Sequence, residues 1–336
     1  MNYKENDKDS AIYKEEYLHG LNDLIRRREK DAASIRASLA AEILREPELY
    51  RRRLREMLGF PLCEAHPQIP PYAEKTLLSE EDGYTVFRLR IEVLDGLFMT
   101  GLYFRLNCKE KCPLSIVQHG GEGTPELVAG IYGYTNNYHD MLMRVLKQGV
   151  HVFAPQLLLW KTEKYGVPYQ RGMIDAKLKR VGSSMTAVEV FGIMRVMDYL
   201  QTLPEVASFG MVGLSYGGFY TQMTAALDTR IRSAVSCSYF NERDRHAFVD
   251  WTWRDSAYLF DDAELALLVY PRKLCLAVGE RDELFDCVGA KAAFAVLQEY
   301  CKEIGTDWLA FFTFDGMHEF FFDDSALQRF AKALKA

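Results

Sequence analysis

The spacing of apolar residues changes twice along the chain, and each change marks a different kind of element. Up to about Leu58, the apolar positions Tyr17, Leu18, Leu21, Leu24 and Ile25, then Ile35, Leu39, Ile43 and Leu44, recur at helical intervals among many charges. Pro47 punctuates this segment and Gly59-Phe60-Pro61 ends it. From Tyr72 to Asn107 the period drops to two. There Asp95-Gly96 separates two β-rich runs, Tyr84 to Ile91 and Leu97 to Leu106, which predicts an antiparallel hairpin. Beyond it, short apolar runs alternate with helical stretches. Leu114–Val117, Val150–Ala154, Phe209–Val212, Ile231–Ser236, Leu274–Val278 and Leu309–Phe314 read as strands. Asn137–Lys147, Ser184–Leu203, Gly218–Leu227, Val288–Glu303 and about Asp324–Leu334 read as helices.

This alternation predicts an α/β fold with a mostly parallel central sheet covered by helices on both faces. Residues 1–62 form a helical cap or arm, and 63–336 form the α/β domain, with a cap-like insertion at about 237–270. The apolar stripe of the arm suggests a homo-oligomer formed through the N-terminal helices. The cluster Arg51-Arg52-Arg53 with Arg55, interleaved with Glu on an amphipathic helix, reads as a solvated face rather than an anion site.

Composition narrows the function classes. The 336 residues carry 41 Lys and Arg against 47 Asp and Glu, a net charge of −6, so no global positive field collects nucleic acid or anionic lipid. No run reaches the ~20 apolar residues of a membrane span, and the polar start of the chain resembles no secretory signal. Seven cysteines scattered over the chain read as reduced, mostly core thiols of a cytoplasmic protein. Cys108 and Cys112 are the one close pair, and with no second Cys/His pair following at a metal-site interval they read as a plain turn rather than a zinc site.

The sharpest local signal is Gly213-Leu214-Ser215-Tyr216-Gly217-Gly218, between the strand Phe209–Val212 and a helical run. A serine at such a strand-to-helix turn sits on strained backbone, and its hydroxyl is pushed out at the carboxyl end of the sheet. It needs a base, and the base needs an orienting acid. Leu274–Val278 opens into Gly279-Glu280-Arg281-Asp282, and Leu309–Phe314 opens into Asp315-Gly316-Met317-His318, so Asp282 and His318 both lie in loops after strands. Glu283 and Asp286 compete for the acid role, although Asp286 better suits a helix cap. Among the other histidines, His19, His66, His139 and His151 read as surface or structural, with His139 in a helix, and His246 in the cap is a weak rival. After Leu114–Val117 comes Gln118-His119-Gly120-Gly121-Glu122-Gly123, whose glycines let backbone N–H groups approach a substrate oxygen. The candidate oxyanion donors are therefore Tyr216, Gly120 and Gly121, with His119 bracing the loop. No Gly-Lys-Ser/Thr ending or dinucleotide fingerprint supports a phosphate-binding alternative, and no metal or organic cofactor is implied.

With these residues in place, the region of about 72–336 resembles the α/β-hydrolase superfamily. Its Ser-Tyr-Gly-Gly elbow and His-Gly-Gly turn are similar to those of the dienelactone-hydrolase and prolyl-oligopeptidase-like branch, which includes acetyl xylan esterases. Two further fragments resemble the acetyl xylan esterase and cephalosporin C deacetylase family, Arg171-Gly172-Met173 upstream of the serine and His318-Glu319 at the histidine. Met173 stands where that family has Gln, and Tyr216 where it usually has Gln. The resemblance implies the α/β-hydrolase fold and a small-molecule ester substrate, hydrolysed through an acyl-enzyme on Ser215 with His318 as base and Asp282 as its partner. Two alternatives remain at this stage: a prolyl-oligopeptidase-like peptidase, whose β-propeller a 336-residue chain has no room for, and a non-catalytic hydrolase-fold binding protein. Aromatic residues of the cap, among them Phe248, Trp251 and Trp253, and of the loop holding Trp160 and Tyr165 to Tyr169, either line the substrate pocket or fill the cap's own core.

Overall fold

The computed structural model describes residues 1–160 and 167–336. Its strands are β1 (Ala73–Glu81), β2 (Tyr84–Leu94), β3 (Leu97–Leu106), β4 (Cys112–Gln118), β5 (His151–Pro155), β6 (Val206–Leu214), β7 (Ile231–Cys237), β8 (Lys273–Gly279) and β9 (Leu309–Phe314). The α-helices are α1 (Asp7–Arg45), α2 (Pro47–Leu58), α3 (Pro125–Val128), α4 (Met141–Lys147), α5 (Arg171–Arg180), α6 (Met185–Leu200), α7 (Tyr216–Leu227), α8 (Ser256–Leu259), α9 (Asp262–Leu267), α10 (Cys287–Tyr300) and α11 (Ser325–Lys335). The strands form one sheet in the order β1-β2-β3-β5-β4-β6-β7-β8-β9. Pairing is antiparallel from β1 through β3 to β5 and parallel from β5 to β9. The turn at Asp95-Gly96 closes the β2–β3 hairpin, with Gly96 at φ 72° and Leu94 opposite Leu97.

Side chains alternate across each strand, so neighbouring residues enter opposite cores. Ile116, Met211 and Leu276 face the side packed by α2, α6, α7 and α10, whereas Val117, Val212 and Ala277 face the side packed by α3, α4 and α11. Both faces of the parallel region are therefore dry, which is why its strands read as continuous apolar runs. β1, at one edge, is largely exposed and carries Glu74, Lys75, Glu80 and Glu81, charges that oppose pairing with a foreign strand.

Three expectations need correction. Arg51 is not on a solvated face: it is 4% exposed, and donates from Nε to Ala226 O at 2.9 Å and from Nη2 to Leu268 O at 2.6 Å. Arg55 donates to Leu227 O at 2.7 Å, so the two guanidinium groups hold the last carbonyls of α7, the negative end of its dipole. The cysteines are not mostly core thiols, for only Cys237 and Cys301 are buried. The helix expected over 137–147 begins at Met141, because Asn136, His139 and Asp140 all adopt positive φ, a conformation open to Asn, His and Asp but incompatible with a continuing helix. No helix among the described residues is long and apolar enough to cross a membrane.

The clamp on α7 makes a direct prediction. Arg51→Met leaves buried carbonyls without a donor and should lower the unfolding free energy by about 2–3 kcal/mol, whereas exposed Arg52→Met should change it by no more than about 0.5 kcal/mol. Urea denaturation of both variants beside wild type checks the contrast.

Candidate active site

β6 ends in a turn too tight for side chains on either side of the serine. A Cβ on Gly213 would lie 2.1 Å from Gly217 O, and one on Gly217 would lie 2.1 Å from Gln118 O. Between them Ser215 is held at φ 60° and ψ −122°, strained backbone for any residue with a Cβ. Its N–H donates to Cys237 O at 2.9 Å, which ties the elbow to the end of β7. Among the described residues the hydroxyl makes no hydrogen bond.

Asp282 and His318 are brought together from the ends of β8 and β9. Glu280 N–H donates to Phe314 O and Arg281 N–H to Gly316 O, each at 2.9 Å, so the two loops run side by side. Asp282 is buried; its Oδ1 accepts the N–H groups of Leu284 and Phe285 at 2.9 Å, leaving Oδ2 to face His318 Nδ1 at 2.9 Å. This fixes the histidine tautomer with Nδ1 protonated and Nε2 free to act as a base. Of the rival acids, Asp286 caps α10 by accepting Gly289 N–H at 2.8 Å, as its sequence context suggests.

The His318 loop is buttressed by residues that the sequence did not single out. Asn137 Nδ2 donates to His318 O at 2.9 Å, and Phe320 N–H donates to Asn137 O at 2.8 Å. His139, expected in a helix, lies instead in the turn before α4, with Nε2 2.7 Å from Glu319 Oε2. These partners lie some 180 positions apart in sequence, and no local pattern announces them.

On the oxyanion side the two glycines differ. Gly120 N–H donates to the hydroxyl of buried Tyr138 at 2.7 Å and is therefore engaged, whereas Gly121 N–H has no acceptor among the described residues. Tyr216 N–H is the first amide of α7 and has no acceptor within the helix. His119 braces this loop as expected: buried and neutral, its ring bonds Gly120 O through Nδ1 at 2.9 Å and accepts Leu157 N–H at Nε2 at 3.2 Å. Burial lowers its pKa to about 4.

Aromatic side chains wall the site. A Cβ on Gly121 would meet the Trp160 ring at 2.8 Å; Trp160 lies edge-on to Tyr216 at 5.6 Å and Phe248 at 6.4 Å, and Phe285 stacks on the His318 ring at 5.7 Å. Tyr165, expected in the same loop, lies outside the described residues. Trp251 packs beneath, 4.6 Å from both Tyr216 and Phe219. Under this floor Arg171 is buried, donating to Asp250 Oδ2 at 2.6 Å, Glu189 Oε2 at 2.8 Å and Tyr220 OH at 2.7 Å. Tyr216 OH donates to the other oxygen of Asp250, so one cation links α6, α7 and the segment between β7 and β8 to the residue after the serine. Of this group the sequence had marked Arg171 and Tyr216; Glu189 and Asp250 carried no signal.

Away from the site, Cys108, Cys112 and His151 offer three ligand atoms within 4.8 Å of one another. His151 Nδ1 already accepts Leu106 N–H at 3.0 Å, so the lone pair of the neutral ring is committed, the reverse of the second-shell pattern of a metal-bound histidine. The residues do not fit a metal site.

A mostly parallel sheet with a serine elbow after β6, an acid after β8 and a histidine after β9 is the α/β-hydrolase fold. No protein-family model matches the chain. It is 27% identical over 246 residues to a protein of Bacillus subtilis (strain 168) whose name reads "Putative hydrolase YtaP", covering 66% of this chain and 79% of that one. Among solved structures it is similar to a glucuronoyl esterase from Solibacter usitatus, with a TM-score of 0.65 and 17% identity over 87% of this chain and 92% of that one. It is also similar to an acetyl xylan esterase from Paenibacillus sp. R4, with a TM-score of 0.58 and 19% identity over 80% of this chain and 90% of that one.

The burial of His119 sets a pH dependence. The unfolded ring takes up a proton near pH 6.5 and the folded one only at about 4. As pH falls through that window the unfolded chain therefore binds the extra proton first, and stability is lost. The difference corresponds to about 3 kcal/mol at full effect. In His119→Gln, which keeps a donor and an acceptor but cannot charge, the decline of unfolding free energy between pH 6.5 and 4 should be shallower by that order; denaturant titrations across the range measure it.

Proposed function

We propose that the protein is a serine hydrolase of carboxylic esters, acting on a short acyl group, such as acetyl, carried by a carbohydrate or another small alcohol. The observation that carries this reading is the strained Ser215 at the carboxyl end of β6, with the Asp282–His318 pair presented from the same end of β8 and β9. Ser215 Oγ attacks the acyl carbon and gives its proton to His318 Nε2, while Asp282 holds the imidazole and stabilises it when charged. The N–H groups of Tyr216 and Gly121 receive the developing oxyanion. His318 then protonates the departing alcohol, and water, activated by the same nitrogen, releases the acid from the acyl-enzyme. Trp160 and Phe248, which are not fully buried, offer apolar faces on which a sugar ring can stack. The esterase neighbours support this choice of substrate class, and no observation favours a peptidase or a binding protein.

Short-chain p-nitrophenyl esters test the chemistry. Wild type should turn over the acetate ester, and Ser215→Ala and His318→Ala should each lose about 10³-fold or more in kcat/KM while remaining folded. A fluorophosphonate should label wild type at Ser215 and leave Ser215→Ala unlabelled. Wild type that is inert to both ester and fluorophosphonate would remove the esterase reading.

A further inference from the structure

Among the described residues, Cys108 and Cys112 are the two cysteines whose sulfurs meet. They lie in the turn that joins β3 to β4, and the ends of that turn are pinned to different neighbours. Asn107 N–H donates to Gly83 O and Cys112 N–H to Glu205 O, each at 2.9 Å. Between these anchors the chain doubles back, and both thiols converge on one carbonyl: Cys108 Sγ lies 3.1 Å and Cys112 Sγ 3.8 Å from Glu110 O. The two sulfurs are 2.8 Å apart, within about 1 Å of bonding distance. Cys108 is exposed and Cys112 half-buried, so solvent reaches the first sulfur freely. Lys109 and Lys111 outnumber Glu110 in the turn and favour the approach of an anion.

We propose that Cys108 and Cys112 form a reversible disulfide, closed by thiol–disulfide exchange with a small anionic disulfide of the glutathione class. Burial and the bond to Cys108 push the Cys112 thiol up to about 11, so the first attack falls to exposed Cys108. The Cys108 thiolate attacks one sulfur of glutathione disulfide, forming a mixed disulfide and expelling one glutathione. Cys112 Sγ then attacks Cys108 Sγ, the mixed disulfide breaks, and a second glutathione leaves. The two thiol protons end on the two glutathiones, and the electron pair gained by the oxidant comes from the cysteine pair. Cys63 is exposed with no thiol beside it among the described residues, so its oxidation stops at the mixed disulfide.

The full chain is equilibrated in buffers of reduced and oxidised glutathione, quenched with N-ethylmaleimide, digested and weighed. Trypsin cuts after Lys109 and Lys111, so the disulfide joins the peptide of residues 106–109 to that of residues 112–144. Closing the pair releases two glutathiones for each disulfide consumed. Diluting the buffer tenfold at a fixed ratio should therefore raise the oxidised-to-reduced ratio of the pair about tenfold and leave that of the Cys63 adduct unchanged. Cys112→Ser should retain glutathione on Cys108. In guanidinium chloride the wild-type pair should be about tenfold less oxidised in the same buffer, because the turn no longer holds the sulfurs together. Free thiols or separate glutathione adducts at Cys108 and Cys112 in every buffer overturn the proposal. Equal oxidation of the folded and denatured chain overturns the claim that the fold assembles the pair, and a Cys112→Ser variant without an adduct on Cys108 overturns the order of attack.

Discussion

The structure turns on one residue held where it would not choose to be. Ser215 sits at positive φ, which costs a residue with a Cβ about 1–3 kcal/mol, and such a conformation persists only where its surroundings leave no alternative. Here the surroundings are specific. Gly213 and Gly217 allow backbone contacts that a methyl group would forbid, Cys237 O takes the serine amide, and α7 is fastened at its far end by Arg51 and Arg55. A helix fixed at its C-terminus cannot slide or unwind to release the strain at its N-terminus. The N-terminal segment, through α2, thereby braces the helix that begins beside Ser215, although it lies at the opposite end of α7.

A second constraint acts from below. Burying the Arg171 guanidinium is costly unless its charge is matched and its donors are used. Glu189 and Asp250 supply the charges, and Tyr220 a further acceptor. Because Asp250 lies in the segment between β7 and β8 and also receives Tyr216 OH, that segment and the elbow are coupled through one carboxylate. The aromatic walls are held separately: Trp160 N–H donates to Gly121 O and its ring lies over that glycine, while Phe285, stacked on His318, donates its N–H to Asp282.

How much of this was legible depended on whether the signal was local. The parallel strands were readable because burial on both faces makes them continuous apolar runs, and Ser215, Asp282 and His318 because each follows such a run directly. The role of Arg51 was not readable, since an arginine among glutamates on a helix looks the same whether it meets water or the carbonyl groups of Ala226 and Leu268. His139 was misplaced because the apolar spacing at Met141, Leu142, Val145 and Leu146 extends naturally backwards, and only the backbone torsions show the helix starting later. The difference between Gly120 and Gly121 rests on a tyrosine 18 residues away, a relation that no spacing rule contains.

The His318 side of the site shows why such distant partners matter. The His318 loop follows an edge strand, β9, and so has a neighbouring strand on one side only. The missing support comes from the segment before α4: Asn137 grips the backbone on both sides of Glu319, and His139 meets its carboxylate. That same segment supplies Tyr138, whose hydroxyl takes Gly120 N–H. Three consecutive residues, Asn137, Tyr138 and His139, therefore tie the His318 loop to the Gly120 loop, with His139 in a left-handed torsion at φ 46°. The break in the helix expected there is thus a requirement of the site's geometry.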